Sequence, residues 1–342
     1  MTKKEREFLL QLQDLRSEID EIDRQMLELI HSRLAVVAKV KDLKENLDSS
    51  AIFIKSAREA DMIKNLIAES EKLALKSGQK ISSDVIVDIW RKIIATSNSL
   101  EQKLSIGFAD NVIDEELLVL VAAQYYHYSF AFNPYQNDPS LFSALEEGEC
   151  DIAIESVCCR LDLKYQDVKN IDLSNFIEDD YYPWWLIMLQ GNIKARIFCY
   201  LPLYLPKQLA KSRFFSIANK RYEKSGSDDI LLVLTIRRDI FATTSFPNFL
   251  HLINKIDKVK CYDFFIDSVN CYFFIAVEDL LFFDYALGID SLESSQKWLN
   301  LNEDLLDSEA KRQLLLYFSS EFLLKCDDIF VAGIAPQQIL GD

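Results

Sequence analysis

The first third of this chain lacks nearly everything that interrupts a helix. Residues 15–101 hold no proline and one glycine, Gly78, so a strong stop signal occurs there once. Long apolar runs are missing too, and nothing approaches the roughly 18 uninterrupted apolar residues of a membrane span. The start, Met1-Thr2-Lys3-Lys4-Glu5-Arg6, leads into only a short apolar stretch with charged continuation. That is unlike a secretory signal, and a cytoplasmic location is expected. His31, His127 and His251 are scattered, and the seven cysteines, an odd number with Cys158 and Cys159 adjacent, show no CxxC spacing. Such a set argues against a disulfide framework or a metal site and reads as reduced core thiols. No cofactor is expected.

Net charge is also absent from the first part. Residues 1–104 hold 18 basic and 18 acidic side chains, so the remainder keeps 20 basic against 36 acidic and carries the whole net charge of −16. All seven cysteines and 37 of the 40 aromatics lie after residue 104, since only Phe8, Phe53 and Trp90 precede it. This shift predicts a boundary between two units. The acidic surface argues against nucleic acid and anionic membranes as partners.

What the first part does have is helical periodicity. Over residues 8–47, Leu12, Leu15, Ile19, Ile22, Met26, Leu29, Ile30, Val36, Val37 and Val40 recur mostly at three- and four-residue steps, the pattern of an amphipathic helix. At about 1.5 Å per residue it would be roughly 60 Å long, too long to bury its stripe alone. Asp48-Ser49-Ser50 reads as a turn, and Ser56 with Glu59 has capping-box spacing for a second helix running to about Lys76. Ser77-Gly78 ends it. Ser82 or Ser83 caps a third helix through Val85, Ile86, Ile89, Trp90, Ile93, Ile94 and Leu100.

Cations sit at set places on these helices. Arg33 and Lys44 are eleven residues apart and return to within about 20° of one direction, so both can face one pocket. Arg16, seventeen residues before Arg33, comes out roughly 100° away and more naturally serves another pocket, such as a neighbouring subunit's. Ser97 and Glu101 share a face at i and i+4, and Arg58-Glu59 sits in the first turn of the second helix. Such an arrangement suits a small, doubly negative substrate.

The order Leu15-Arg16, Ile19-Asp20-Glu21-Ile22-Asp23, Leu27-Glu28-Leu29-Ile30 with Arg33, Val40 and Lys44, Ala57-Arg58-Glu59, then Ile89-Trp90-Arg91 before Ser97 resembles the all-helical chorismate mutase family over residues 9–104. The resemblance implies three helices in a swapped homodimer that rearranges chorismate to prephenate in aromatic amino-acid biosynthesis. By that resemblance Arg16 reaches into the partner's site, while Arg33 and Arg58 pair with the two carboxylates of chorismate. Lys44 donates to the ether oxygen, Glu59 holds the ring hydroxyl, and Ser97 assists near the ring carboxylate. Glu101 also faces the ether oxygen, where it must be protonated to donate. Lys55 stands where members often carry Asp, and Phe53 is bulkier than the usual aliphatic residue. The chemistry agrees: an intramolecular pericyclic step needs no nucleophile, metal or redox group, only a held near-attack conformer and fixed donors at the ether oxygen. Isochorismate–pyruvate lyase, on the same helical fold, and a non-catalytic regulatory or scaffold protein are the alternatives.

After residue 104 the period shifts to strands alternating with helices. Strands are predicted at 104–109, 128–132 and 151–155 with helices at 114–126 and 138–148, a β-α-β-α-β lobe with a parallel sheet. Apolar segments at 183–189, 195–203 and 212–220 follow, with further strands predicted at 230–236, 261–268, 271–277 and 329–334, a helix at 249–256 and a long helical stretch over 290–325. Trp184 and Trp185 read as core rather than a ligand stack. The run from Leu141 to Glu155, Ser212-Arg213-Phe214 and Val331-Ala332-Gly333-Ile334-Ala335-Pro336 faintly resembles prephenate dehydratase with an ACT regulatory portion. Ser156-Val157-Cys158-Cys159 replaces that family's Thr-Ser-Ser-Gly run, Asp110-Asn111-Val112 replaces its Gly-rich loop, and about 55 residues before Ser212 are too few for a second lobe. The expected fold is therefore multidomain: an all-α unit over 1–104, a degenerate dehydratase-like α/β lobe over 105–205 and an ACT-like α+β region over 206–342. The latter two are expected to lack dehydratase activity and to leave a regulatory role.

Overall fold

A computed structural model describes residues 3–45, 54–110, 115–156, 182–191, 193–205, 214–219, 228–237, 259–278 and 327–340. The turn expected at 48–50, the helices expected at 249–256 and 290–325, and the Cys158-Cys159 pair lie outside these residues.

Three helices come first: α1 (Lys3–Glu45), α2 (Ser56–Ser77) and α3 (Ser83–Glu101). On α1 the stripe splits in two. Ile30, Arg33, Leu34, Val37, Val40, Lys41 and Lys44 are half-buried and follow the i, i+3, i+4 spacing of one packed face, which meets α3. Phe8, Leu15, Ile19, Ile22, Met26 and Leu29, farther back, are at least half exposed. Gly78 closes α2 at φ 72°, its N–H bonded to the Ala74 carbonyl, a left-handed position that favours glycine. The capping box expected at Ser56 does not form. Ser56 is already helical, and its hydroxyl donates to the Phe198 carbonyl at 2.9 Å instead. Ser82 occupies the N-cap of α3 without a side-chain cap bond.

Beyond α3, the described strands form one nine-stranded mixed sheet. Its strands are β1 (Ser105–Ala109), β2 (Ala131–Tyr135), β3 (Ile152–Ser156), β4 (Arg196–Leu201), β6 (Phe214–Ala218), β7 (Asp228–Arg237), β8 (Val259–Ile266), β9 (Asn270–Glu278) and β10 (Asp328–Pro336), in the order β2-β1-β3-β6-β4-β10-β7-β9-β8. Strands β5 (Tyr204–Leu205) and β11 (Ile339–Leu340) form a separate parallel pair. With α4 (Glu115–Tyr126) and α5 (Asp138–Glu147), β1, β2 and β3 make the expected β-α-β-α-β lobe, all parallel. Strand β2 starts three residues later than its sequence suggests. His127 takes φ 123° and its ring nitrogen accepts from the Ser129 N–H, so Tyr128–Phe130 are spent on a turn. Strands on both sides of residue 205 belong to this sheet, since β4 pairs with β6 and β10.

Two cores cover the sheet's faces. On one, α5 and α6 (Trp184–Gln190) bury Leu141, Phe142, Trp184 and Trp185 with Phe215 and Phe274. The Trp pair is core, as expected, with Trp185 Nε1 donating to Asp263 Oδ2 at 3.0 Å. Gly107 lets α5 lie close, because a Cβ there would stand 2.6 Å from Leu141 Cδ1 and 2.7 Å from Tyr135 Cε2. On the other face Ile54, Ala60, Ile63, Val87 and Ile94 of the helical segment pack with Leu118, Tyr126, Ile152 and Phe198. Helices α2 and α3 thus share a core with the sheet. Cys150, Cys199 and Cys271 are buried. Among the described residues no helix is long and apolar enough to cross a membrane.

Candidate active site

Helices α1 and α2 bring three of the four expected cations, Arg33, Lys44 and Arg58, to one place beside Ser97 and Glu101 of α3. Arg33, on the packed third of α1, donates from Nη1 to Ser97 Oγ on α3. Lys44, three turns on, forms an ion pair with Glu101 at 2.6 Å. Arg58, in the first turn of α2, is exposed and close enough for its charge, after burial, to hold the Arg33 guanidinium below its ordinary pKa. Lys55, just before α2, is half-buried, and burial followed by the Lys44 charge lowers it. Arg33, Lys44, Lys55 and Arg58 therefore gather near Glu101, with the Glu59 charge also bearing on Arg33, an arrangement that suits an anionic ligand.

Glu59 lies in the same turn as Arg58 but points into the protein. It is buried at 6% exposure. Its Oε2 accepts from Arg91 Nη2 at 2.9 Å and from the Tyr125 hydroxyl at 2.9 Å, and its Oε1 accepts from Asn98 Nδ2 at 3.0 Å. Burial acts to raise this carboxyl, but the Arg91 charge and the hydrogen bonds from Asn98, Arg91 and Tyr125 outweigh it and hold Glu59 below the ordinary carboxylate value. Arg91 rests over the Tyr125 ring, 4.4 Å from its centroid, and its buried Nε and Nη1 find no oxygen acceptor among the described residues. The ring's π-face beneath them compensates in part.

Arg16 is not brought to this cluster. It is exposed on α1, about 25 Å back along the helix from Arg33 at about 1.5 Å per residue. Arg33, Lys44, Arg58, Ser97 and Glu101 converge, with Glu59 behind them. The sequence reading missed Asn98 and Tyr125 and gave Arg91 no role. Arg91 had a signal, because it sits in the apolar stripe of Val87 and Ile94, where an unpaired charge is costly. A separate cavity of about 470 Å³ lies between α3 and α4, lined by Val87, Arg91, Thr96, Tyr125, His127 and Leu203 among others. Asp88 and Lys92 on its wall lie about 140–180° around α3 from Ser97 and Glu101, so it opens on another side of α3 from the cation cluster. Among the described residues no group of His, Cys, Asp and Glu side chains could hold a metal.

Arg33, Lys44, Lys55 and Arg58 thus form a cation cluster on a three-helix frame. Residues 15–102 match the family model of chorismate mutase type II. A bifunctional chorismate mutase/prephenate dehydratase of Aquifex aeolicus (strain VF5) is 22% identical over 170 residues, 50% of this chain and 44% of that protein. The chain thus spans less than half the length of this relative. Two solved structures superpose loosely on it. GqqA, described as a novel type of quorum-quenching acylase, has a TM-score of 0.35 at 12% identity and covers 68% of this chain and 94% of its own. Prephenate dehydratase from Streptococcus mutans has a TM-score of 0.34 at 10% identity, with 70% and 100% covered.

Proposed function

We propose that this protein is a chorismate mutase that acts as a homodimer and converts chorismate to prephenate for aromatic amino-acid synthesis. The observation that carries the reading is the convergence of Arg33, Lys44, Arg58, Ser97 and Glu101 from three helices within a segment that matches the type II family. Arg33 and Arg58 hold the two carboxylates, with Ser97 beside Arg33. Bidentate guanidinium pairing fixes the enolpyruvyl arm over the ring and supplies the orientation the reaction needs. Lys44 turns from Glu101 to the ether oxygen, where negative charge builds as the C–O bond breaks, and Glu101 faces the same atom. Glu59 accepts from the ring hydroxyl. Arg16 enters the partner's pocket, and the exposed apolar stripe on the first two-thirds of α1 supports that exchange.

The sheet region adds no dehydratase activity in this reading. The 342-residue protein given chorismate should therefore accumulate prephenate and no phenylpyruvate. Isochorismate should yield no pyruvate, which separates the mutase from a lyase. Chorismate left unchanged by micromolar enzyme would remove the reading.

A further inference from the structure

We infer that Tyr125, on α4 of the sheet region, is a positioning residue of the mutase site: it fixes Glu59 so that one acceptor position on its carboxylate stays open to the substrate's ring hydroxyl. The inference rests on the chorismate mutase reading. An ionised carboxylate offers about four lone-pair sites. Three are filled here. Arg91 and Tyr125 both bond Oε2, and Asn98 bonds Oε1, so the fourth site lies on Oε1. Two donors on a single oxygen, arriving from α3 and α4, oppose rotation of the carboxylate and keep Oε1 presented.

Tyr125 acts twice in this arrangement. Its hydroxyl reaches Glu59 and its ring carries Arg91, the other donor to Oε2. The tyrosine itself is held, since it is 2% exposed and its ring meets that of Tyr126 edge-on at 4.8 Å. It comes from 66 residues away in sequence, from outside the segment that matches the mutase family. The sheet region is therefore part of the active-site support, not a passenger. This also accounts for a shared core under α2 and α3 in place of a loose linker.

Charge gives the role a readout that packing alone would not move. The titratable groups facing Glu59 are Arg33 from α1, Arg91 from α3 and Tyr125 and Tyr126 from α4, with Cys199 of β4 behind the tyrosines. Taking away the Tyr125 hydroxyl removes one of the bonds that keep Glu59 ionised. Glu59 then protonates at higher pH, and the acid limb of kcat/KM moves upward.

The test uses the 342-residue protein and three variants of it. Tyr125→Phe keeps the ring under Arg91; it should lower kcat/KM about tenfold, the scale of one lost hydrogen bond to a charged group, and shift the acid limb to higher pH. Tyr126→Phe loses a buried bond of its own, 2.6 Å to Ser216 Oγ, and should leave the acid limb where it is. Should Tyr125→Phe fail to fold, 3-fluorotyrosine at position 125, a stronger donor of nearly the same shape, should move the limb downward. Wild-type protein inert toward chorismate would overturn the mutase reading and this inference with it. An active wild type whose pH profile coincides with those of Tyr125→Phe and the fluorinated protein would overturn the inference alone.

Discussion

Helices α1 and α3 are both amphipathic and lie against each other, yet their apolar stripes end in opposite environments. On α3, Ile86, Val87 and Ile94 are buried, Ile94 to 3% exposure, because the chain passes directly through Leu104 into β1 and brings the sheet beneath the helix. On α1, Leu15, Ile19, Ile22, Met26 and Leu29 remain exposed, Leu29 at 70%. Among the described residues, it is the last third of α1 that packs against α3, and that third carries Arg33 and Lys44. The difference teaches that one chain assembles the cation cluster, whereas the Arg16 end of α1 meets no covering surface among the described residues. A stripe of that length left in water would be a liability, and a second copy of α1 is the covering that the proposed swapped dimer supplies.

The largest expected effect sharpens the packed end of α1. If Arg33 and Arg58 clamp the carboxylates, Arg33→Ala and Arg58→Ala should each lower kcat/KM by at least about 100-fold, equivalent to about 2.7 kcal/mol. Steady-state kinetics on folded variants measure this, and near-native turnover in both removes the site. A smaller effect probes the exposed end. Arg16→Ala and Arg58→Ala should each be inactive alone, but an equal mixture that exchanges subunits should recover about a quarter of wild-type activity. Half the dimers would then be mixed, each with one intact pocket, as two-fold symmetry requires. A mixture that exchanges subunits and stays dead shows that each pocket is built from one chain, and the contrast between the two ends of α1 loses its explanation.

What the sequence disclosed follows the same division between local and distant. The helix periods, the Gly78 stop and the parallel lobe of β1, β2 and β3 were legible because each depends on neighbours a few residues apart. The convergence of Arg33 with Lys44 was legible too, since a rigid helix converts spacing into direction. Ser56 misled because its hydroxyl had a choice between a local cap and the Phe198 carbonyl, 142 residues away, and the long-range bond won. The partners of Glu59 were hidden for the same reason. Nothing in the spacing of α2 says that its carboxylate will meet Tyr125 of α4, and the pattern of one helix cannot reveal which sheet it will lie on.

The smallest effect concerns the buried side of the site, where Glu59 and Arg91 differ from the more open Lys44–Glu101 pair. Glu59→Gln keeps the shape but leaves the Arg91 guanidinium buried without its counter-charge, so the variant should melt at lower temperature than wild type at neutral pH. The sign of the pH dependence follows from the depressed folded-state pKa of Glu59. Its ionised form stabilises the fold fully above the ordinary carboxylate value, and that stabilisation is lost as pH falls through the lower, folded value. Glutamine cannot titrate. Other acid-labile groups are common to both proteins and cancel in the difference, so the gap in Tm should narrow as pH is lowered below the ordinary carboxylate range. Thermal melts of the pair across neutral to acidic pH measure it. A gap that stays constant would mean that Glu59 titrates alike in the folded and unfolded chain, and the Arg91, Asn98 and Tyr125 contacts would then not be what holds its charge.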